Sequence, residues 1–290
     1  MLFFEKNKIP SSLKIPSFLK IVFKVVHFLM SKVAVILASK LFTKPINFKT
    51  PERELGMLNT SQKKRLYIPK IDKEVQILSY GYSDKKVLLA HGWAGRSTQL
   101  FMIANKLLEN GFMVIAFDAP AHGKSTGKNT NLMEYVDAIE HINIKFGPFV
   151  GAVGHSFGGM AILNAQANQP IFKKIVTIGS GDKISTILIN FAKNLGLNAS
   201  FGKKLKKYFD KKWQCNVDDF SSSQVAKKIK EPVLVVHDTL DGDVHVSCAL
   251  QIRQNLSNGN VLITEGLGHT KILRTKEITN RIVTFIEKNT

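Results

Sequence analysis

From residue 86 onward the chain repeats one pattern: a short apolar run without alternation, a turn, then an amphipathic helical stretch. The apolar runs are 86–91, 113–118, 149–155, 174–179, 233–237 and 261–264, and the helical stretches are 99–109, 132–145, 158–167, 246–255 and 275–287. A strand that is apolar on both faces must be covered on both faces, and helices that return the chain to the same end of a sheet provide that cover. The pattern therefore predicts an α/β fold built on a mostly parallel sheet. Residues 64–69 and 75–80 come before it and read as an opening hairpin.

The alternation stops at residue 181 and resumes at 232. Between them lies a lysine-rich, helix-like interval with 184–195 and 203–209 as its clearest pieces. An insertion between two strands of a parallel sheet is placed to cover one sheet edge. The expected organisation is an N-terminal helical extension and linker (1–60), a body (61–180 and 232–290) and a helical cap insertion (181–231). A chain of 290 residues with 44% hydrophobic content has enough apolar material for such a body. Within the extension, residues 45–60 are polar and contain proline, and read as a linker.

Residues 15–42 are strongly apolar, but Lys20, Lys24, Lys32 and Lys40 interrupt them, leaving no uncharged run near the ~20 residues that a membrane span needs. Lys20, Lys24, His27 and Ser31 share one helical face, so the segment predicts a single amphipathic helix with a wide apolar side. Two placements are open: docked on the rest of the protein, or held in peripheral contact with a membrane surface. The expected location is the cytoplasm, with membrane association as the second reading.

The formal charge of +19 comes from 41 Lys+Arg against 22 Asp+Glu. The excess is mostly lysine, without arginine-rich or aromatic-interleaved stretches, so nucleic acid is not an expected partner. Cys215 and Cys248 have neither metal-ligand spacing nor a disulfide pattern. No metal or organic cofactor is expected, and the oligomeric state is left open.

Gly154-His155-Ser156-Phe157-Gly158 lies between an apolar run and a helix. A serine on so tight a strand-to-helix turn is held in a strained backbone, needs small neighbours two positions away, and projects its hydroxyl at the sheet edge. Ser156 is thus the candidate nucleophile. Serine is weakly nucleophilic at neutral pH and needs a histidine to take its proton and a carboxylate to orient that histidine. His269, after the last run, and Asp241, after the run at 233–237, follow in the order Ser, Asp, His. Asp238 and Asp243 crowd the same loop. Asp238 sits too close to the sheet to reach across, and Asp243 is placed to point outward or to cap the next helix. A tetrahedral intermediate also needs two preorganised donors. The backbone amides of Trp93, in His91-Gly92-Trp93-Ala94-Gly95, and of Phe157 are the expected pair, with His91 bracing the loop by hydrogen bonds.

On these residues, together with Asp118-Ala119-Pro120-Ala121-His122-Gly123-Lys124-Ser125 and Gly268-His269, the chain from residue 86 to its end resembles the α/β-hydrolase superfamily, specifically its bacterial esterase/lipase-like serine hydrolases. Two departures stand out. Ala121 occupies a position where the resembled turn has glycine, implying an altered turn, and Asp238 and His245 stand where glycine and proline are frequent. The resemblance implies an eight-stranded, mostly parallel sheet with flanking helices and a helical cap. It also implies two-step acyl transfer to water by Ser156, His269 and Asp241, and Asp241 has the spacing it implies for the acid. A carboxylesterase acting on small or medium acyl esters is the expected activity, with lipid hydrolase, thioesterase and peptidase as variants. A non-catalytic ligand receptor on the same fold is the alternative from another class.

Overall fold

The burial of the strands reproduces the pattern from which they were expected. The computed structural model describes residues 15–288. In it β3 (Lys86–Ala90), β4 (Met113–Phe117), β5 (Gly151–His155), β6 (Ile175–Ile178) and β7 (Val233–Asp238) are almost wholly buried. With β1 (Gln62–Ile68), β2 (Lys73–Tyr80) and β8 (Gly259–Thr264) they form one eight-stranded sheet in the order β1-β2-β4-β3-β5-β6-β7-β8. β2 runs antiparallel to both its neighbours, β1 and β4, and every other pair is parallel. Period-two geometry sends alternate side chains to opposite faces. Leu88 and Ala90 join one core cluster with α5 (Leu132–Phe146) and α6 (Phe157–Asn168), whereas Val87 and Leu89 join another with α4 (Phe101–Glu109) and α12 (Lys276–Glu287). At one edge Lys63, Lys64 and Arg65 are exposed on β1, charges that discourage further strand pairing.

Chain order reverses at β3: β4 lies on one side of it and β5 on the other. Such a switch point opens a crevice at the carboxyl ends of the strands. The loops after β3, β5, β7 and β8 all end there.

Two expectations for the extension change. The single helix over 15–42 is two helices, α1 (Ser17–Leu29) and α2 (Ser31–Phe42), separated by Met30 at φ −144° and ψ 72°. The break lets both helices contribute to one cluster: Phe23 from α1 and Ala34, Val35 and Ala38 from α2 pack with Leu188, Ala192, Phe201, Leu205 and Phe209 of α7 (Ile184–Asn194) and α8 (Ala199–Trp213). The first 14 residues of the predicted extension lie outside the described residues. The second change is that the linker carries a helix, α3 (Glu52–Thr60). Glu54 is buried there, where its Oε2 accepts from Arg96 Nη1 at 2.8 Å and from Thr98 Oγ1 at 2.7 Å. A buried acid makes the stretch look polar in sequence while it is anchored in space. Removing one partner of a buried ion pair strands the other, so Glu54→Ala is expected to cost about 3 kcal/mol in urea unfolding.

Of the two open placements, α1 docks through one side on the rest of the protein and leaves a second apolar side exposed. Lys20 and Lys24 lie against Gly196, and His27 packs edge-on against Phe201 at 4.9 Å. Phe18, Ile21, Val22, Val25, Phe28 and Leu29 face outward. Within 181–231, α7 and α8 make the cluster shared with the extension, while α9 (Ser222–Ala226) packs Val225 and Ala226 into the main core.

Candidate active site

Ser156 follows β5 and caps α6 with φ 52° and ψ −117°, a left-handed conformation that costs a non-glycine residue on the order of 1–3 kcal/mol. Its N–H donates to Ile178 O at 2.8 Å, pinning the turn to β6. The glycines two positions away on each side are steric necessities. A Cβ on Gly154 would lie 2.6 Å from Gly158 O, and one on Gly158 would overlap Ala90 O.

The loop after β3 approaches the same turn, since a Cβ on Gly92 would lie 3.1 Å from Ser156 Cβ. His91 and His122 hold this loop. His91 Nδ1–H donates to Gly92 O (2.7 Å) while its Nε2 accepts from Ala119 N–H (2.9 Å). His122 Nδ1–H donates to Pro120 O (3.0 Å) and its Nε2 accepts from Ala94 N–H (3.2 Å), beside Trp93. Among the described residues the amides of Trp93 and Phe157 have no hydrogen-bond acceptor in the protein. The Trp93 and Phe157 rings meet edge to face at 5.3 Å. Ala121, where an altered turn was expected, itself takes the left-handed conformation at φ 65°, so the substitution is absorbed as strain at that residue. Asp118 ties this turn to the loop after β3: its Oδ1 accepts from Ser97 N and its Oδ2 from Lys124 N.

Asp241 and His269, 28 residues apart in sequence, meet at 2.7 Å through Oδ2 and Nδ1. The other carboxylate oxygen, Oδ1, accepts from the backbone N–H of Asp243 (2.9 Å) and Val244 (2.8 Å). A carboxylate can only accept, so Nδ1 carries a proton, and in the neutral ring Nε2 is the nitrogen with the lone pair. Burial pushes the Asp241 carboxyl up, but the His269 hydrogen bond and charge and the two amides outweigh it and hold it below the usual range. Asp238 instead joins the two loops, accepting from Leu240 N–H, Thr264 Oγ1 and Leu267 N–H. Of the helix after this loop, α10 (Ser247–Asn255), the first N–H is taken by His245 Nδ1. That corrects the capping role considered for Asp243.

His269 lies in the short α11 (Gly268–Lys271). His155 Nε2–H donates to its carbonyl (3.0 Å), and the two rings meet at a 45° tilt with centroids 4.6 Å apart, bringing His269 beside the Ser156 turn. No hydrogen bond joins the Ser156 hydroxyl to His269 among the described residues. Such bonds are often long without substrate. Asp241, Asp243 and His269 each offer a ligand atom within 4.8 Å of the others. Both Asp241 oxygens are already hydrogen-bonded, so this grouping is accounted for without a cation.

His122, His155 and Phe42 were not singled out as site residues from sequence. The first two sit inside recognised motifs and act only through tertiary hydrogen bonds. Phe42, at the end of α2, stacks on Trp93 at 6.5 Å and meets Phe191 and Phe209 at 5.1 and 5.7 Å. The extension thus reaches the wall of the crevice, together with α7 and α8.

The buried histidines give the site a pH signature. Burial lowers His91 to about 4 and His122 to about 3, the latter with help from the neighbouring His91, and burial also lowers His155 well below the ordinary value. Below the ordinary histidine pKa of about 6.5 the unfolded chain takes up protons that the native rings refuse, so stability falls with pH from there down to the native values. At pH 5 the loss is about 2 kcal/mol each for His91 and His122. Asp238 and Asp241, whose pKa values are lowered, lose their contribution only in the more acidic range below the ordinary carboxylate value. A melting temperature that declines between pH 7 and 5 is the expected result, and a flat profile over that interval would contradict the neutral assignment.

The alpha/beta hydrolase fold model matches residues 85–200, and the model of a TAP-like protein matches residues 201–290. A monoacylglycerol lipase of Mycolicibacterium smegmatis is 28% identical in an alignment of 123 residues that covers 38% of this chain and 44% of that protein. The chain thus matches less than half the length of that relative. Among solved structures, the Pyrococcus furiosus esterase Pf2001 aligns with a TM-score of 0.65 at 17% identity, covering 85% of this chain and 98% of that one. The esterase EaEST of Exiguobacterium antarcticum aligns with a TM-score of 0.60 at 18% identity, covering 78% and 100%. With the sheet order, the turn at Ser156 and both family matches in agreement from residue 85 onward, the chain belongs to the α/β-hydrolase superfamily.

Proposed function

We propose that the protein is a serine-dependent carboxylic-ester hydrolase in which Ser156 is the nucleophile, His269 the general base and Asp241 its orienting acid. The observation that carries this reading is the part-buried Asp241–His269 hydrogen bond, which leaves Nε2 of His269 as the basic nitrogen beside a strained serine turn. The esterases and the monoacylglycerol lipase that the chain resembles support an ester as substrate.

In this mechanism His269 Nε2 takes the Ser156 proton as Oγ attacks the carbonyl carbon. The carbonyl electron pair moves to oxygen, where the amides of Trp93 and Phe157 receive it. Collapse expels the alcohol, protonated by His269, and leaves an acyl-serine. Water, deprotonated by the same histidine, repeats the addition and releases the acid. Asp241 stays ionised throughout and stabilises the imidazolium. The α7–α8 part of residues 181–231, with Phe42, acts as a lid whose apolar side chains shape the acyl pocket.

The test is turnover of a panel of acyl esters and thioesters of increasing chain length. Hydrolysis of short and medium esters is the expected result, and ligand binding without turnover of any of them would favour a receptor.

A further inference from the structure

We infer that the outward face of the N-terminal helix pair docks on an anionic lipid bilayer. Phe18, Ile21, Val22, Val25, Phe28 and Leu29 recur at helical spacing on one side of α1, and Phe28 is 89% exposed. Met30 at the break, and Ile36, Leu37 and Leu41 on α2, continue the patch. A helix turned to water would show these residues to its own protein and its lysines to solvent. Here α1 leaves them uncovered, with Lys20 half-buried and Lys24 exposed beside Gly196, because Phe23 and the His27 ring are its anchors on the α7–α8 pair, and His27 Nδ1 is buried without a hydrogen-bond partner. Contiguous exposed apolar area of this kind marks an interaction site.

Charge selects the occupant. Between residues 15 and 51 the chain has Lys20, Lys24, Lys32, Lys40, Lys44 and Lys49 and no carboxylate. Lys32, Lys40 and Lys44 are exposed around the apolar patch. The adjoining α8 adds Lys203, Lys204, Lys207 and Lys211. An apolar face rimmed by lysines suits the boundary between acyl chains and acidic headgroups, where both parts are matched at once. A second copy of this face would bring lysines against lysines with no acid to pair them. No described helix is long and apolar enough to cross a membrane, so the docking is interfacial.

The test is co-sedimentation of the full chain with vesicles of phosphatidylcholine and phosphatidylglycerol (about 3:1, an anionic surface) or of phosphatidylcholine alone. The protein is expected to bind the anionic vesicles at least about tenfold more tightly than the neutral ones, and less tightly at high salt. The triple variant Ile21→Ser, Val25→Ser, Phe28→Ser, altered only at exposed positions and checked by circular dichroism, should lose about tenfold or more of that binding. Lys32→Glu with Lys40→Glu should erase the preference for anionic vesicles. Ser156→Ala should bind as the parent does, which keeps this inference separate from the hydrolase reading. Failure of the parent to sediment with either vesicle would overturn the proposal. So would undiminished binding by the triple variant, or a lipid-free dimer that the triple variant dissolves.

Discussion

Ser156→Ala is expected to abolish covalent labelling by a fluorophosphonate and to lower kcat on a short acyl ester by about 10⁵–10⁶-fold. Fluorophosphonates react with a serine only when a base and an oxyanion site act on it together, so the label reports the whole arrangement. The Ser156 turn meets the steric demands of such a site: Gly154 and Gly158 leave no room for side chains, and Gly92 brings the Trp93 loop alongside. Alanine keeps the backbone and the two unpaired amides but removes the oxygen that becomes acylated. Residual catalysis of about 10³–10⁴ over water is expected to survive in the variant, since donor groups and binding outlast the nucleophile. Mass spectrometry of the labelled protein locates the adduct. A label on another serine, or one that persists in the variant, would remove Ser156 from its assigned role.

The second large effect belongs to the acid. Asp241→Asn is expected to lower kcat by about 10⁴-fold while leaving the fold intact. The cause lies in which oxygen does what. Oδ1 accepts two backbone N–H groups, from Asp243 and Val244, so the asparagine carbonyl must stay on that side. Its NH₂ then faces His269 Nδ1, which can answer only as an acceptor. The ring proton moves to Nε2, and the base is lost without any change in position. Asp243 lends the network its backbone amide, which substitution leaves in place, so Asp243→Asn is expected to lower kcat far less than Asp241→Asn does. Both variants, compared on one ester at neutral pH with melting curves alongside, decide the matter. A crippled Asp243→Asn beside a near-normal Asp241→Asn would transfer the acid to Asp243.

Much of the body was legible because its elements are dictated locally. The apolar runs that became β3 to β7 are buried on both faces, and no other arrangement of such runs with intervening helices keeps them from water. The same holds for the turn at Ser156, whose glycines are fixed by contacts within a few ångströms. What sequence could not show depends on partners far along the chain. The stretch around Glu54 read as a linker because a carboxylate is normally solvated, and only Arg96 and Thr98, more than 40 residues away, make its burial tolerable. The 15–42 segment showed its apolar face but not which way that face would turn. Its orientation was settled by Phe201, Leu205 and Phe209, in an insertion whose own lysine content gave no sign of a docking surface. His122 and His155 lay in motifs read for their serine and glycines, and their use as braces appears only when loops from different strands meet.

The cluster that joins α1 and α2 to α7 and α8 also sets a timetable for synthesis. The helix pair leaves the ribosome about 170 residues before the helices that will bury Phe23 and Val35, an interval of about 10–35 s at ordinary elongation rates. During that time both sides of the pair lack the α7–α8 cluster, and the body made meanwhile meets it at the Trp93–Phe42 stack. The nascent chain therefore carries an adhesive segment ahead of its folded body, and whatever first covers that segment, chaperone or lipid, acts before there is an active site to protect.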